Sequence, residues 1–514
     1  MKPILLNLFV AAVLPSICNA QFVRPKLVAD IHNIPSADGN ISSDPRGLSS
    51  YRDKLLFVAR DDKDTSFWVY DGKNPPVKYS YPGTSMESFS YTQVENHIYF
   101  PNHYDFGMGK NNVYRWDGSS VPEFVSNVTP TDARANMAGY SSFTSLNGKV
   151  YFAGADNQCK FELFETDPAT LTTQRVTSQF SRSSGPYSAA SLRNLVGYKD
   201  NIYFVAWTPE YGDEVYAYHT VSRTVTPYDI EVGTDGSNPQ ALTVLNGTLY
   251  FIAFTDANGW ELYSCDSVSA PKRITDIAPG PLSGLSGLSA VLPGALVYNN
   301  GKVYFAGATD GKSYDLWSYN VSTGKTACVA DFDNEQLSSP CYLVAYRDKI
   351  IFNIPSRKYY FDMPVYIYNT STHAVNPMPY PYAASSFYAR EKYVHDDVLY
   401  ISGGEDHYGH ELYKYDEDDA PEMTDKILLP GWQIHLLPNP ADKVVSLHID
   451  LVNKMALTYR VTDVVGREMY HSGDTYAVGH SAAVIDIDSY PQGTYICTVY
   501  SNTKPVWTGR FVKL

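Results

Sequence analysis

The sequence predicts an all-β chain: a β-propeller of about eight four-stranded blades, followed by a small C-terminal Ig-like β-sandwich. Three observations predict it. A pair of short apolar runs recurs eight times, about 43–54 residues apart, which is blade spacing rather than that of helical solenoids. The runs are rich in Val, Ile, Tyr and Phe and bounded by Gly, Asn and Asp, and no window sustains a helical period. Tyr outnumbers Phe by 43 to 22, a composition suited to strands with one wet edge.

The bulk composition narrows the function classes. Hydrophobic residues make up 44% of the 514 and charged residues 18%, enough for a packed core and too apolar for disorder. A net charge of −15 and a pI of about 5.2 exclude nucleic acid as a partner, because nothing would neutralise phosphates.

Residues 1–20 read as a signal peptide. Lys2 supplies the positive end, Ile4–Leu14 is apolar but too short to span a bilayer, and Cys18-Asn19-Ala20 precedes Gln21 as a small-residue cleavage site. Lipidation of Cys18 is the rival reading, disfavoured by Ile17. No later stretch is apolar enough for a membrane helix. The remaining Cys159, Cys265, Cys328, Cys341 and Cys497 are odd in number and lack a C-x-x-C spacing, so neither a disulfide framework nor a zinc site is expected. Cys328 and Cys341 could pair in an exported chain, and buried free thiols serve equally well.

Residues 21–428 carry the predicted propeller. The first apolar runs are Leu55–Phe57, Ile98–Phe100, Val150–Phe152, Ile202–Phe204, Leu249–Phe251, Val303–Phe305, Ile350–Phe352 and Val398–Tyr400. Asn147-Gly148, Asn246-Gly247 and Asn300-Gly301 precede three of them as tight hairpin turns. In the fifth copy the four strands are expected at Ala241–Leu245, Thr248–Phe254, Glu261–Cys265 and Lys272–Ile277. One such sheet cannot bury both faces alone, and stacking of copies around a ring solves that problem. The orphan segment Lys26–Ile31 is expected to close the ring as the outer strand of the last blade, beside Glu411–Tyr415; Met423–Leu428 competes for that place.

The second runs include Glu162-Leu163-Phe164, Glu261-Leu262-Tyr263, Asp315-Leu316-Trp317 and Glu411-Leu412-Tyr413, and Asp71-Gly72 and Asp117-Gly118 form Asp-Gly turns. In these residues the repeats resemble the ELWxxDGT family of bacterial secreted proteins. The resemblance spans roughly Ser49–Asp416 and implies a propeller but no activity.

Glu417-Asp418-Asp419 opens a polar stretch, residues 429–432 serve as a linker, and residues 433–514 read as the sandwich, with strands at Val444–Asp450, Leu457–Asp463, Ala483–Ile487, Gly493–Val499 and Val506–Val512. This segment carries Leu437-Pro438-Asn439-Pro440-Ala441, Asp463-Val464-Val465-Gly466-Arg467, Gly493-Thr494-Tyr495 and the ending Gly509–Leu514. It resembles the C-terminal sorting domain of the type IX secretion system of Bacteroidetes. The resemblance implies sorting roles for Pro438, Asn439, Pro440, Gly466, Arg467, Gly493, Tyr495 and Lys513, the type IX machinery as a partner, and a secreted or outer-membrane surface location reached through the periplasm.

No catalytic group stands out. Glu162, Glu214, Glu261, Asp315 and Glu411 could act as acid and base on a glycan, but they occupy one repeat position and would form a ring rather than a close pair. A strand-start carboxylate accepting backbone N–H bonds is the stronger reading. Asp61-Asp62-Lys63-Asp64, Asp310-Gly311 and Glu405-Asp406 could hold calcium weakly, none as an EF-hand, so no cofactor or metal is expected. His407 and His410 form a lone pair in a turn. Gly284-Leu285-Ser286-Gly287 approaches a nucleophile elbow, but Leu288 replaces its last Gly. Aromatics near the hairpin tips, chiefly Trp207, Tyr211, Trp260 and Tyr408, could stack on sugars or anchor a protein. The expectation is a secreted or surface binding protein recognising a glycan or protein, with a polysaccharide-degrading propeller enzyme or a structural envelope component as alternatives.

Overall fold

The structure, a computed structural model, describes residues 23–32, 42–79, 84–85, 91–104, 110–119, 122–127, 143–155, 161–180, 192–290, 292–332, 339–355, 363–379, 387–405, 409–418, 425–426, 433–437, 440–451, 455–463, 467–476, 479–501 and 504–514. Two compact units emerge, one at Pro25–Asp416 and one containing Glu417–Leu514.

The first unit consists of eight antiparallel sheets, each built from strands consecutive in sequence except at the seam. Blade 1 shows the plan: Arg46–Tyr51, Lys54–Arg60, Thr65–Tyr70 and Val77–Tyr79, paired in that order. Blade 5 repeats it with Gln240–Leu245, Thr248–Thr255, Gly259–Cys265 and Lys272–Arg273. Its fourth strand is shorter than expected, because Ile277 spends its N–H on the Glu261 side chain instead of a neighbouring strand. Blade 2 adds the two-residue strand Thr84–Ser85. Asn147, Asn246 and Asn300 all take positive φ, as do Gly148, Gly247 and Gly301 after them, the geometry a two-residue hairpin demands.

The second strand of each blade carries a run of three consecutive apolar residues because both its faces are covered there. In Lys54–Arg60, Leu56 and Val58 share a core with Ile98, Phe100 and Trp116 of blade 2, while Leu55 and Phe57 share one with Tyr400 and Leu412 of blade 8. The same exchange links blade 3 to 4, 4 to 5, 5 to 6 and 6 to 7. The sheets therefore stack in a closed circle, and the architecture is a β-propeller. Each buried Leu, Ile, Val or Phe contributes about 1.5–3 kcal/mol, so the stack is stabilised chiefly between sheets.

The ring closes where the sequence places the seam. Lys26–Ala29 runs antiparallel to Gly409–Tyr415, with Lys26 opposite Lys414 and Leu27 opposite Tyr413. The competing segment goes elsewhere: Asp425–Lys426 pairs with the C-terminal strand Lys504–Lys513 of the other unit. The boundary set at residue 428 from composition thus moves back to Asp416, because that acidic stretch contains a strand of the tail.

The tail unit is a sandwich of two sheets. One has the order Asp425–Lys426, Lys504–Lys513, Gly493–Ser501, Met455–Asp463, Glu468–Tyr476; the other is Gln433–Leu437, Val444–Leu451, Gly479–Asp486. Between them lie Val445, Leu447, Ile449, Tyr459, Val461, Cys497, Trp507 and Phe511, all buried. Two strands escaped the sequence. Gln433–Leu437 lies at the start of the predicted sandwich and abuts a proline, and Glu468–Tyr476 is polar because it is an edge strand with one face in water. Cys265, Cys341 and Cys497 are buried free thiols.

Removing Lys26–Ile31 would expose Leu412 and Tyr413, now fully buried, and open the ring. Thermal unfolding of the truncated chain should occur roughly 5 °C or more below that of the full chain, as measured by circular dichroism. An unchanged midpoint would show that the seam strand is dispensable.

Candidate functional site

The recurrent carboxylates are the most elaborate polar feature of the ring. Each stands at the head of a third strand and reaches the segment that leaves for the next blade. Glu214 Oε1 accepts the N–H groups of Ile230 (3.1 Å), Glu231 (2.9 Å) and Ser237 (2.9 Å), and its Oε2 accepts the Ser237 hydroxyl at 2.5 Å. Glu162 accepts the Phe180 N–H and the Thr177 hydroxyl, at 3.0 and 2.6 Å. Glu261 accepts the Ile277 N–H at 3.1 Å and the Thr275 hydroxyl. Asp315, one methylene shorter, accepts the Phe332 N–H at 2.9 Å. Glu411 holds the seam: it accepts the N–H groups of Ile31 (3.1 Å) and Ser43 (2.9 Å) and the Ser43 hydroxyl (2.6 Å), from residues 380 and 368 positions earlier.

The four glutamates are buried. Burial pushes Glu214 and Glu411 up to about 7, against hydrogen bonds that pull the other way. Their lone pairs are spent on the protein's own donors, and they sit in separate blades. The strand-start reading of the sequence is the one the geometry follows. The Ser and Thr partners were missed; the only sequence signal for them is a hydroxyl residue 14–23 positions after three of the glutamates. The glycines near Ser286 also find their reason here. A Cβ on Gly284 would stand 2.2 Å from Glu261 Oε1, and one on Gly287 would stand 2.8 Å from the Trp260 indole. The Gly-Leu-Ser-Gly sequence makes room for two side chains and forms no nucleophile elbow.

The tip aromatics lie on the hairpins joining second and third strands. Trp207 stands opposite Asp213 in blade 4, and Tyr211 closes the same hairpin, its N–H donating to Thr208 Oγ1 at 3.3 Å. Trp260 occupies the neighbouring hairpin of blade 5, opposite Phe254, with ring centroids 5.7 Å apart. All three are half-buried, and Trp260 also packs on the core between blades 5 and 6. Two adjacent blades therefore carry three of the four residues on equivalent hairpins; Tyr408 lies outside the described residues, as do His407 and Asp406. The acidic tips have occupants already. Asp61 and Asp64 both reach Lys78 Nζ, at 2.7 and 2.9 Å, and Asp310 Oδ1 accepts the N–H groups of Lys312 and Ser313.

In the tail, the described motif residues meet. Ala441, beside the exposed Pro440, donates its N–H to Val512 O at 2.8 Å and accepts the Leu514 N–H at 3.0 Å, so the Pro-Ala segment zips onto the chain end. Lys513 is buried, with Nζ 3.5 Å from Asp442. Arg467 Nε lies 3.1 Å from Asp463 Oδ2 and closes the turn between strands. Tyr495 stacks on Phe511 at 5.5 Å and donates its hydroxyl to Pro491 O at 2.7 Å, and Gly493 opens that strand with positive φ. Pro438, Asn439 and Gly466 lie outside the described residues.

Residues 435–513 match the family model of a secretion system C-terminal sorting domain. The match marks the tail as a sorting segment and implies export by that machinery. No curated protein matches the chain. Among solved structures, a puromycin-hydrolyzing peptidase of Mycobacterium tuberculosis is similar at 11% identity and TM-score 0.44, over 79% of this chain and 57% of its own. The β-propeller domain of the Trilobed protease from Pyrococcus furiosus is similar at 11% identity and TM-score 0.37, over 66% of this chain and 97% of its own. An oligogalacturonate lyase in complex with manganese is similar at 12% identity and TM-score 0.35, over 59% and 82%. The chain thus spans little more than half the length of the peptidase. Among the described residues no helix is long and apolar enough to cross a membrane.

The carboxylates predict a pH dependence. An unfolded glutamate titrates near 4.5, whereas Glu214 and Glu411 hold their protons to about 7. Between these values the folded chain binds more protons, so stability is full below 4.5, falls as pH rises towards 7 and is flat above. The propeller should unfold at a higher temperature at pH 5 than at pH 8, and Glu214→Gln with Glu411→Gln should flatten that slope. Glu214→Ala should cost on the order of 3 kcal/mol in chemical denaturation, because it strands the buried N–H and hydroxyl of Ser237 and the half-buried N–H groups of Ile230 and Glu231.

Proposed function

We propose that this is a secreted or cell-surface binding protein, exported by the type IX route, whose propeller recognises a glycan or protein partner. The observation that carries the reading is the combination of a sorting-domain tail with three half-buried aromatics on equivalent hairpins of adjacent blades. Aromatic rings with a wet edge stack on sugar faces and anchor protein partners at low entropic cost. The repeat carboxylates, the natural candidates for glycan hydrolysis, are committed to backbone donors, which favours binding over turnover. The resemblance of the repeats to the ELWxxDGT family agrees with an exported propeller and adds no activity.

Purified full-length chain on a glycan array should bind a restricted set of glycans without releasing products, and Trp207→Ala with Tyr211→Ala should weaken binding about tenfold or more. Product release would favour the polysaccharide-degrading alternative; retention of binding in the double variant would move the site elsewhere. Deleting residues 433–514 should leave the protein in the periplasm, read by fractionation, and normal export of that truncation would refute the sorting role.

A further inference from the structure

The repeats provide an internal control for every position in the ring. The first strands of blades 1, 4, 5, 7 and 8 are Arg46–Tyr51, Leu192–Tyr198, Gln240–Leu245, Cys341–Tyr346 and Tyr388–His395, and three residues before the end of each stands a side chain that faces the preceding blade. It is Leu48 in blade 1, Leu195 in blade 4, Leu242 in blade 5 and Leu343 in blade 7, all buried. In blade 8 the same position holds Lys392. The residue it meets is also an exception. Where the second strands of blades 1, 4 and 5 carry Val58, Val205 and Ile252, that of blade 7 carries Asn353, which is fully buried. An aliphatic contact, Val205 with Leu242 in one shared core, is thus replaced by an amine and an amide.

The geometry around Lys392 is specific. Its Nζ donates to Tyr342 O at 2.9 Å and to Asn353 Oδ1. Asn353 cannot turn, because its Nδ2 donates to Met363 O and Ala389 O, both at 2.8 Å. The Tyr342 ring lies 5.7 Å from Nζ, and Tyr342 holds a positive φ of 53° that an aromatic residue rarely adopts. No carboxylate among the described residues pairs with the amine. Glu391 is turned to the N–H groups of Gly47 and Leu48, at 3.0 and 2.7 Å, and Arg390 to Asp44 at 3.8 Å. The neighbouring Cys341 thiol is pushed up to about 11 by burial and brings no charge at neutral pH. Burial without a counter-ion lowers Lys392 to about 7. Two neutral acceptors suit an uncharged amine, which donates two N–H bonds and keeps its lone pair. Lys392 and Tyr342 both retain partial exposure, as innermost strands around the ring's axis do.

A contact that only holds blades together needs no amine, since aliphatic pairs do this elsewhere in the ring, and a buried uncompensated amine costs stability. We propose that Lys392 is a reactive amine site on the wall of the ring's axis, which captures small aldehydes as an imine. The lone pair of Nζ attacks the carbonyl carbon, a C–N bond forms, and the carbonyl oxygen leaves as water with the two amine protons. Asn353 and the Tyr342 carbonyl act as positioning groups that orient Nζ.

The test is treatment of the full chain with glyceraldehyde and sodium cyanoborohydride, which reduces the imine to a stable secondary amine, followed by peptide mass mapping. An amine titrating near 7 is about half uncharged at neutral pH, against roughly one in 2,500 for an ordinary lysine, so Lys392 should label about tenfold or more faster than exposed lysines. The labelling rate should level off just above pH 7 rather than rise to pH 10. Lys392→Leu, which installs the side chain of the other blades, should keep the unfolding midpoint and lose only this label. Asn353→Val should slow labelling by freeing Nζ. Absence of the label in native wild-type chain, its appearance only after unfolding, or a rate profile still rising at pH 9 would each overturn the proposal, whether or not the variants fold.

Discussion

A buried carboxylate at the head of the third strand directs the path of this chain from blade to blade. A strand that ends leaves its outgoing backbone without a ladder, and a segment crossing between sheets has no neighbour to satisfy its N–H groups. Glu162, Glu214, Glu261 and Glu411 supply acceptors at those points, with a Ser or Thr hydroxyl as the auxiliary donor. Glycine is required where the crossover comes closest, as at Gly284 against Glu261. The motif recurs in five blades, at Glu162, Glu214, Glu261, Asp315 and Glu411, because each of these crossovers poses the same problem of backbone satisfaction.

At Glu411 the same device closes the ring. The carboxylate joins the last third strand to Ile31 and Ser43, while Lys26–Ala29 completes the sheet beside it. A ring built by stacking sheets has two open faces until its ends meet, and the seam unites residues nearly 400 positions apart. The tail solves a related problem on a smaller scale. Its Pro-Ala segment and its last residues pair, and Lys513 is buried, so the two ends of the segment that matches the sorting-domain family fasten each other.

The sites proposed for this chain lie where the copies differ. The common positions are consumed by the fold, and Glu261, Gly284 and Gly287 are examples. The differences fall in two places. The hairpins of blades 4 and 5 carry Trp207, Tyr211 and Trp260, whose rings keep a wet edge. The interface of blades 7 and 8 carries Lys392 and Asn353 in place of an aliphatic pair. The first set was legible because aromatics in a turn contrast with the polar residues usual there. The second was not: a lysine inside an alternating strand reads as its solvent face, and its burial depends on the neighbouring blade.

The sequence by itself determined the fold class, the number of blades, the hairpin turns, the seam strand and the sorting tail. Each rests on local chemistry: unbroken apolar runs where both faces are covered, Asn-Gly where φ must be positive, and motif residues close together in the chain. Only the tertiary structure decided which hydroxyl each glutamate grips, where the propeller ends, and that Lys392 faces two neutral acceptors at the blade interface. Those outcomes depend on which groups distant segments bring into contact, and one-dimensional periodicity carries no information about partners across a blade interface.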